Sequence, residues 1–329
     1  MKAFVGVDVS KKWLDMALWV DGEIVEQLQL DYNRAEVAKA VQEIDSIVGN
    51  RELIFGCEAT GQYHKALVQQ LHELGYRQKV INPRMTHHEK MARNISSGND
   101  AVEAAIIAQH LAIRDDPYWS PEHEGNSELR DLVLRRDQLK KELNREKNRL
   151  DRFTTTGPAA KSLKRGIKFI EKELETIEEE IKKVIDEDGQ MQENMELLQT
   201  IPGVGYHTSL TFLARIGDVS RFDKANEVVK YLGLAPIVKR SGSSINKARL
   251  SKTGDAIFRS TVFNAALVNT NKDNTYGKHY RSLVERGKSA KTAITAVMRK
   301  ITRAMFAVLR DRRPFSMDIY GNSRIALTG

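Results

Sequence analysis

The stretch Ala3-Phe4-Val5-Gly6-Val7-Asp8-Val9-Ser10 decides the fold. It alternates around small and apolar side chains, as a β-strand does, and carries one carboxylate, Asp8, inside it. Outward from it, WLDMALWV (13–20) and EIVEQLQL (23–30) flank Asp21-Gly22, a favoured two-residue hairpin turn, so two or three antiparallel strands are expected. AEVAKAVQEIDSIV (35–48) then has helical spacing. LIFGCEA (53–59) reads as a short buried strand bearing Glu58 near its end. HKALVQQLHELG (64–75) reads as a helix closed by Gly75, and QKVINP (78–83) as a strand stopped by Pro83.

A hairpin meander followed by alternating helix and strand is the order of a ribonuclease H-like α/β fold, whose first strand carries an acidic residue in mid-sheet. A further helix is expected in NDAVEAAIIAQHLA (99–112). Asp100 and Glu103, three residues apart, project from one face of its first turn, where the helix dipole favours negative charge. Two acids there are ordinarily just solvated dipole partners. Together with Asp8 and Glu58 they acquire another meaning, because carboxylates offered from two strand ends and one helix face can converge on a hard divalent cation. Sugar kinases and actin-like ATPases also open with a strand of the Gly-x-Asp-x-Ser type. They should show a second glycine-rich phosphate loop on a strand, and none is evident.

The 329 residues include one cysteine, Cys57, so disulfides and cysteine metal clusters within the chain are excluded. No apolar run approaches a membrane span and the N-terminus lacks signal-peptide features, so a cytoplasmic protein is expected. The net charge of +8 is unevenly spread. From Ser241 onward there are 17 Lys and Arg against 5 Asp and Glu, a balance of +12, so the first 240 residues sum to −4. A polyanionic partner for the C-terminal part is expected.

Residues 127–187 are highly charged, with Gly157-Pro158 as a break. Ile167, Ile170, Leu174, Ile177, Ile181 and Val184 step by three and four, the seam of a coiled coil, and Leu129, Leu132, Leu139, Leu143 and Leu150 make a looser one. Two helices folding back as an antiparallel hairpin are expected, with residual seams able to pair with another protomer. Ile-Pro-Gly-Val-Gly (201–205) lies between two helical stretches and resembles the turn of a helix-hairpin-helix DNA-binding element. VKRSGSSINKARLSKTG (238–254) reads as a polar, basic loop in which Lys239, Arg240, Lys247, Arg249 and Lys252 surround Ser241. These cations, with Arg259 beyond them, are the candidate nucleic-acid contacts. From composition, phosphate binding fits this loop better than a nucleophilic serine does.

The ordered set GVDVSKKWLDMAL, CEATGQY with INP, NDAVEAAIIA, IPGVG, YLGLAP, SGSSINKARLSKTG and the helix around Met298-Arg299-Lys300 spans nearly the whole chain. It resembles the IS110-type transposases, the DEDD recombinases, with the Piv pilin-gene invertases as close kin. The resemblance implies a RuvC-like domain over 1–118, a coiled-coil hairpin over 127–188, a mostly helical transposase domain over 191–315 and a tail over 316–329. It implies Asp8, Glu58, Asp100 and Glu103 as Mg²⁺ ligands and catalytic acids, and Ser241 as the nucleophile on DNA. The fourth acid is Asp in the family pattern but Glu103 here, which moves the carboxylate by about 1.5 Å. The resemblance also implies a composite site assembled across protomers of a dimer or tetramer, donor and target DNA as partners, and a noncoding bridge RNA as guide. A Piv-like invertase without a guide RNA, or a catalytically weakened nucleic-acid-binding protein, are the alternatives.

Overall fold

The computed structural model describes residues 1–316 other than 60–62, 95–98, 117, 120–123, 153–156, 242–244 and 252–253. It divides into two compact units, Met1–Pro121 and Glu122–Gly329.

The first unit holds strands β1 (Lys2–Val9), β2 (Trp13–Val20), β3 (Glu23–Asp31), β4 (Glu52–Glu58) and β5 (Arg77–Ile81), in spatial order β3-β2-β1-β4-β5. β1, β2 and β3 are antiparallel, turning at Asp21 and Gly22, both at positive φ, while β4 and β5 run parallel to β1. This is the ribonuclease H-like order expected from the strand pattern. Helices α1 (Arg34–Val48), α2 (Tyr63–Glu73), α3 (Pro83–Ala92) and α4 (Asp100–Ile113) complete the unit. On β1 the odd-numbered Ala3, Val5, Val7 and Val9 enter a core shared with Val37, Val41 and Ile44 of α1 and Leu67 and Leu71 of α2. The even-numbered residues point to the opposite face, as the pleat requires.

α4 lies on that opposite face, and two glycines set how closely. A Cβ on Gly6 would stand 2.1 Å from Ala104 O and 2.3 Å from Ala108 N, and one on Gly56 would meet the Leu111 side chain at 2.6 Å. Gly6 pairs with Gly56 across β1 and β4 and with Ala17 across β1 and β2, so a row of minimal side chains seats the helix backbone against the sheet. Phe4, Ile81, Ile107 and Leu111 close the apolar contact beside it. Pro83 not only ends β5 but also begins α3, a helix not expected from the sequence, with Asn82 as its N-cap.

The second unit opens with α5 (Glu124–Leu150) and α6 (Pro158–Glu187). Lys140 pairs with Glu178 at 3.0 Å and Lys147 with Glu171 at 2.8 Å, so the two helices run antiparallel. Ile167, Leu174, Ile181 and Val184 are buried along the α6 stripe. There follow α7 (Gly189–Gln199), α8 (Tyr206–Ile216), α9 (Ala225–Tyr231), the hairpin β6 (Pro236–Ser241) and β7 (Ile245–Leu250), then α10 (Ala256–Asn269), α11 (Thr275–Glu285) and α12 (Ala290–Asp311). Leu198, Phe212, Phe258, Val297, Met305 and Phe306 belong to their common core. The region around Ser241, expected as a loop, is thus largely a two-stranded ribbon. Its β-branched Ile237, Val238 and Ile245 sit in strands despite the density of Lys and Arg.

Replacing Gly6 by Ala should separate α4 from the sheet and cost about 3 kcal/mol, the upper end of core overpacking. Urea unfolding midpoints at constant m-value are the measurement, and an unshifted midpoint would refute the seating described here.

Candidate active site

The seating of α4 determines what meets at the end of β1. Val7 pairs with Cys57, so Asp8 and Glu58 follow side by side at the ends of two parallel strands. Asn99 caps α4 through its side chain, which accepts from Ala101 N, and Gln27 of β3 donates to Ala101 O at 3.1 Å. The first turn of α4, with Asp100 and Glu103, is thereby held over the sheet. Burial, followed by the charges of Glu103, Asp100 and Glu58, pushes the Asp8 carboxyl up to about 6. The other three sequence-predicted acids, from β4 and α4, thus all act on Asp8.

A fifth carboxylate stands in the same row. Asp15 of β2 is the cross-strand partner of Asp8 and so shares its face of the sheet. It is buried, and Gln29 of β3 donates Nε2 to both its oxygens at 3.2 Å. Nothing in WLDMALWV marked it, because its importance comes from register with Asp8.

Two further side chains reach the cluster from α3. Thr86 Oγ1 donates to Glu58 and Lys90 Nζ pairs with Glu103. As the side chains are placed, no three His, Cys, Asp or Glu side chains among the described residues stand close enough together to hold a metal ion. The donor chemistry nonetheless fits a hard cation. The ligands are all anionic oxygens, and their mutual repulsion at Asp8 is what a divalent ion would relieve. Asp8, Glu58, Asp100 and Glu103 are the residues that would hold it.

In the second unit Ser241 is the last residue of β6, paired with Ile245 at the turn end of the hairpin. Lys252, and the side chains of Lys239, Arg240, Ser241, Lys247 and Arg249, lie outside the described residues. At the neck of this hairpin Gly233 and Gly254 are in backbone contact: a Cβ on Gly254 would stand 2.3 Å from Leu232 C. Arg259 Nη1 donates to Gly254 O at 2.6 Å, which binds the neck to α10. The turn at Ile201–Gly205 does link two helices, and Gly203, at φ +85°, packs against Asn269 and Ala265 of α10. Asn269 Nδ2 also donates to Pro202 O at 2.8 Å, so that part of the turn serves internal packing.

A cationic cluster absent from the sequence-predicted contacts lies on α11 and α12. Arg299, Lys300 and Arg303 are half-buried at helical spacing, and Arg303 Nε donates to Asn226 Oδ1 of α9 at 3.0 Å. Burial, then Arg303, lowers the basicity of both Arg299 and Lys300. His279 of α11 is lowered by burial and then by Lys300, Arg286 and Arg299. The signal for it was the i, i+1, i+4 spacing of Arg299, Lys300 and Arg303. Among the described residues no helix is long and apolar enough to cross a membrane.

A carboxyl group raised from 3.8 to about 6 binds its proton more tightly in the folded state. Its contribution to stability is therefore present at low pH, lost as pH rises through that window, and a constant penalty above it. In EDTA at pH 7.5, Asp8→Asn should melt at a higher temperature than wild type, and the gap should narrow toward pH 4.5. A variant no more stable than wild type at pH 7.5 would contradict the convergence of charge on Asp8.

Residues 5–156 match the family model of the DEDD transposases of the IS110 type, and residues 195–281 match the model described as Transposase IS116/IS110/IS902 family. The chain is 26% identical to the pilin gene-inverting protein of Moraxella bovis, over 97% of this chain and 99% of that one. It is 30% identical to the transposase for insertion sequence element IS1111A of Coxiella burnetii, over 42% of this chain and 38% of that one. It is 32% identical to the insertion element IS110 43.6 kDa protein of Streptomyces coelicolor, over 35% and 28% of the two chains. With one model over the unit that carries the acids and the other beginning at α7, the chain belongs to the IS110 family of transposases, enzymes that cut and rejoin DNA.

Proposed function

We propose that this transposase recombines DNA through a phosphoserine intermediate on Ser241, aided by Mg²⁺ at Asp8, Glu58, Asp100 and Glu103. The observation that carries this reading is the convergence of three carboxylates, Glu103, Asp100 and Glu58, on a buried fourth, Asp8, a charge arrangement that is costly without a cation and suited to a phosphodiester with one. When bound, Mg²⁺ would neutralise the charge developing on the phosphate. Ser241 Oγ attacks phosphorus, an Oγ–P bond forms, and the bond from phosphorus to one deoxyribose oxygen breaks. The serine proton and the proton taken up by the leaving oxygen balance through solvent. In the second step a hydroxyl from another strand end attacks the phosphoserine, its oxygen bonds to phosphorus and Ser241 is released. The phosphodiester count is conserved, so no nucleotide triphosphate is required. The hairpin position of Ser241, at the turn end of a basic ribbon, supports its use as the attacking group.

The basic C-terminal part supplies the phosphate contacts, from the β6–β7 ribbon and from Arg299, Lys300 and Arg303. In this reading a noncoding bridge RNA pairs with donor and target DNA and supplies sequence choice. Assembly as a dimer or tetramer uses the α5–α6 hairpin, where Phe169 is 64% exposed. The near full-length match to a pilin gene-inverting protein favours site-specific inversion as the second reading of the same chemistry.

With a DNA substrate carrying a strand interruption that stalls rejoining, wild type should accumulate a covalent protein–DNA species. Ser241→Ala should give none, and Asp8→Ala should lower its yield by at least about 100-fold, the scale of removing transition-state charge stabilisation. A covalent species with Ser241→Ala would overturn the proposed nucleophile. In filter-binding titrations over a salt series, Arg299→Gln with Lys300→Gln should flatten the slope of log affinity against log salt by about 2. An unchanged slope would remove α12 from the interface.

A further inference from the structure

The acids of the candidate site are engaged from α3. Thr86 and Lys90 are four residues apart and so share one face of that helix. They reach Glu58 and Glu103 respectively. Between them Glu89 faces His110 Nδ1 of α4 at 2.8 Å, and His110 Nε2 faces Asp116 Oδ2 at 2.6 Å. His110 is fully buried, so this second link pins α3 to α4 at a point away from solvent. The Lys90–Glu103 pair is partly exposed, its side chains at 18% and 28%, much as Glu89 and Asp116 are.

We propose that Lys90 is the resident counter-ion of the metal-free acidic site, released from Glu103 when a divalent cation takes that carboxylate and then free to hold a non-bridging oxygen of the DNA phosphate. This rests on the reading of Asp8, Glu58, Asp100 and Glu103 as metal ligands. Three observations support it. Lys90 Nζ pairs with the carboxylate of Glu103, one of the four acids, so a cation that takes that oxygen must displace it. The ammonium group is a compact charge on a flexible four-carbon stem, which can change partners without moving the helix. The Glu89–His110–Asp116 link, through the buried imidazole of His110, holds α3 in place while Lys90 exchanges. Lys90 is thus a positioning residue whose ammonium and the incoming ion compete for one carboxylate.

Calorimetric titration of the full-length protein with Mn²⁺, without DNA, tests the competition. Lys90→Met should bind Mn²⁺ about tenfold more tightly than wild type, and Lys90→Arg, which keeps the charge, should remain within about threefold of it. A merely structural role would weaken binding or leave it unchanged, and either result overturns the proposal. If Lys90→Met does not fold, Lys90→Gln carries the same comparison. In Ca²⁺, Lys90→Met should bind substrate DNA at least about threefold more weakly than wild type, with no difference in EDTA. Equal DNA affinity in Ca²⁺ would overturn the phosphate half of the proposal. A wild type that takes up no Mn²⁺ at millimolar concentration would overturn the metal reading of the acids itself, whereas Mn²⁺ uptake equal in wild type and Lys90→Met overturns only the role of Lys90.

Discussion

The first unit depends on the absence of two side chains. Gly6 leaves room for the backbone of α4 to lie directly on β1, at a separation no Cβ could tolerate, and Gly56 leaves room on β4 for the Leu111 side chain of the same helix. Close packing of this kind does not deform continuously, so the helix has one seat. That seat places its first turn over the ends of the two strands that carry Asp8 and Glu58. The glycines therefore control an electrostatic outcome as well as a packing one. They force like charges together, and the fold bears a cost at Asp8 that apolar packing offsets elsewhere in the sheet.

The same logic of gathered like charge appears twice with opposite sign. Burial and then the neighbouring acids raise the proton affinity of Asp8, while burial and then Arg303 lower the basicity of Arg299 and Lys300 on α12. A folded protein retains such arrangements against their cost where an external partner of the other sign completes them. In the proposed reaction the partner of the acids is a cation, with Lys90 as the internal substitute on Glu103, and the partner of the α12 cluster is a phosphate backbone. Membership of a transposase family gives both partners a place in one reaction, since a phosphodiester brings the anions and its cleavage calls for the cation.

Much of this was legible in residue order. The alternation of AFVGVDVS, the Asp21-Gly22 turn, the helical spacing of NDAVEAAIIAQHLA and the three-four stepping from Ile167 to Val184 are local signals, each set by a period of two or of about 3.6 residues. Pro83 was read only as the end of a strand, although Asn-Pro is also an N-cap followed by a first helical position, and α3 was lost with it. The ribbon around Ser241 was hidden by its charge, since a Lys- and Arg-rich strand has neither an apolar face nor an alternating one to betray it.

By itself the sequence determined most of the elements, α3 and the β6–β7 ribbon apart, and which carboxylates they carry, because those follow from neighbours within a few residues. Only the tertiary structure decided that Asp15 stands in register with Asp8, that Thr86 and Lys90 reach Glu58 and Glu103, and that Arg259 ties the neck of the hairpin. Each of these depends on strand register or on the height at which a helix sits above a sheet. Those are properties of contacts between segments distant in the chain, and no local period encodes them.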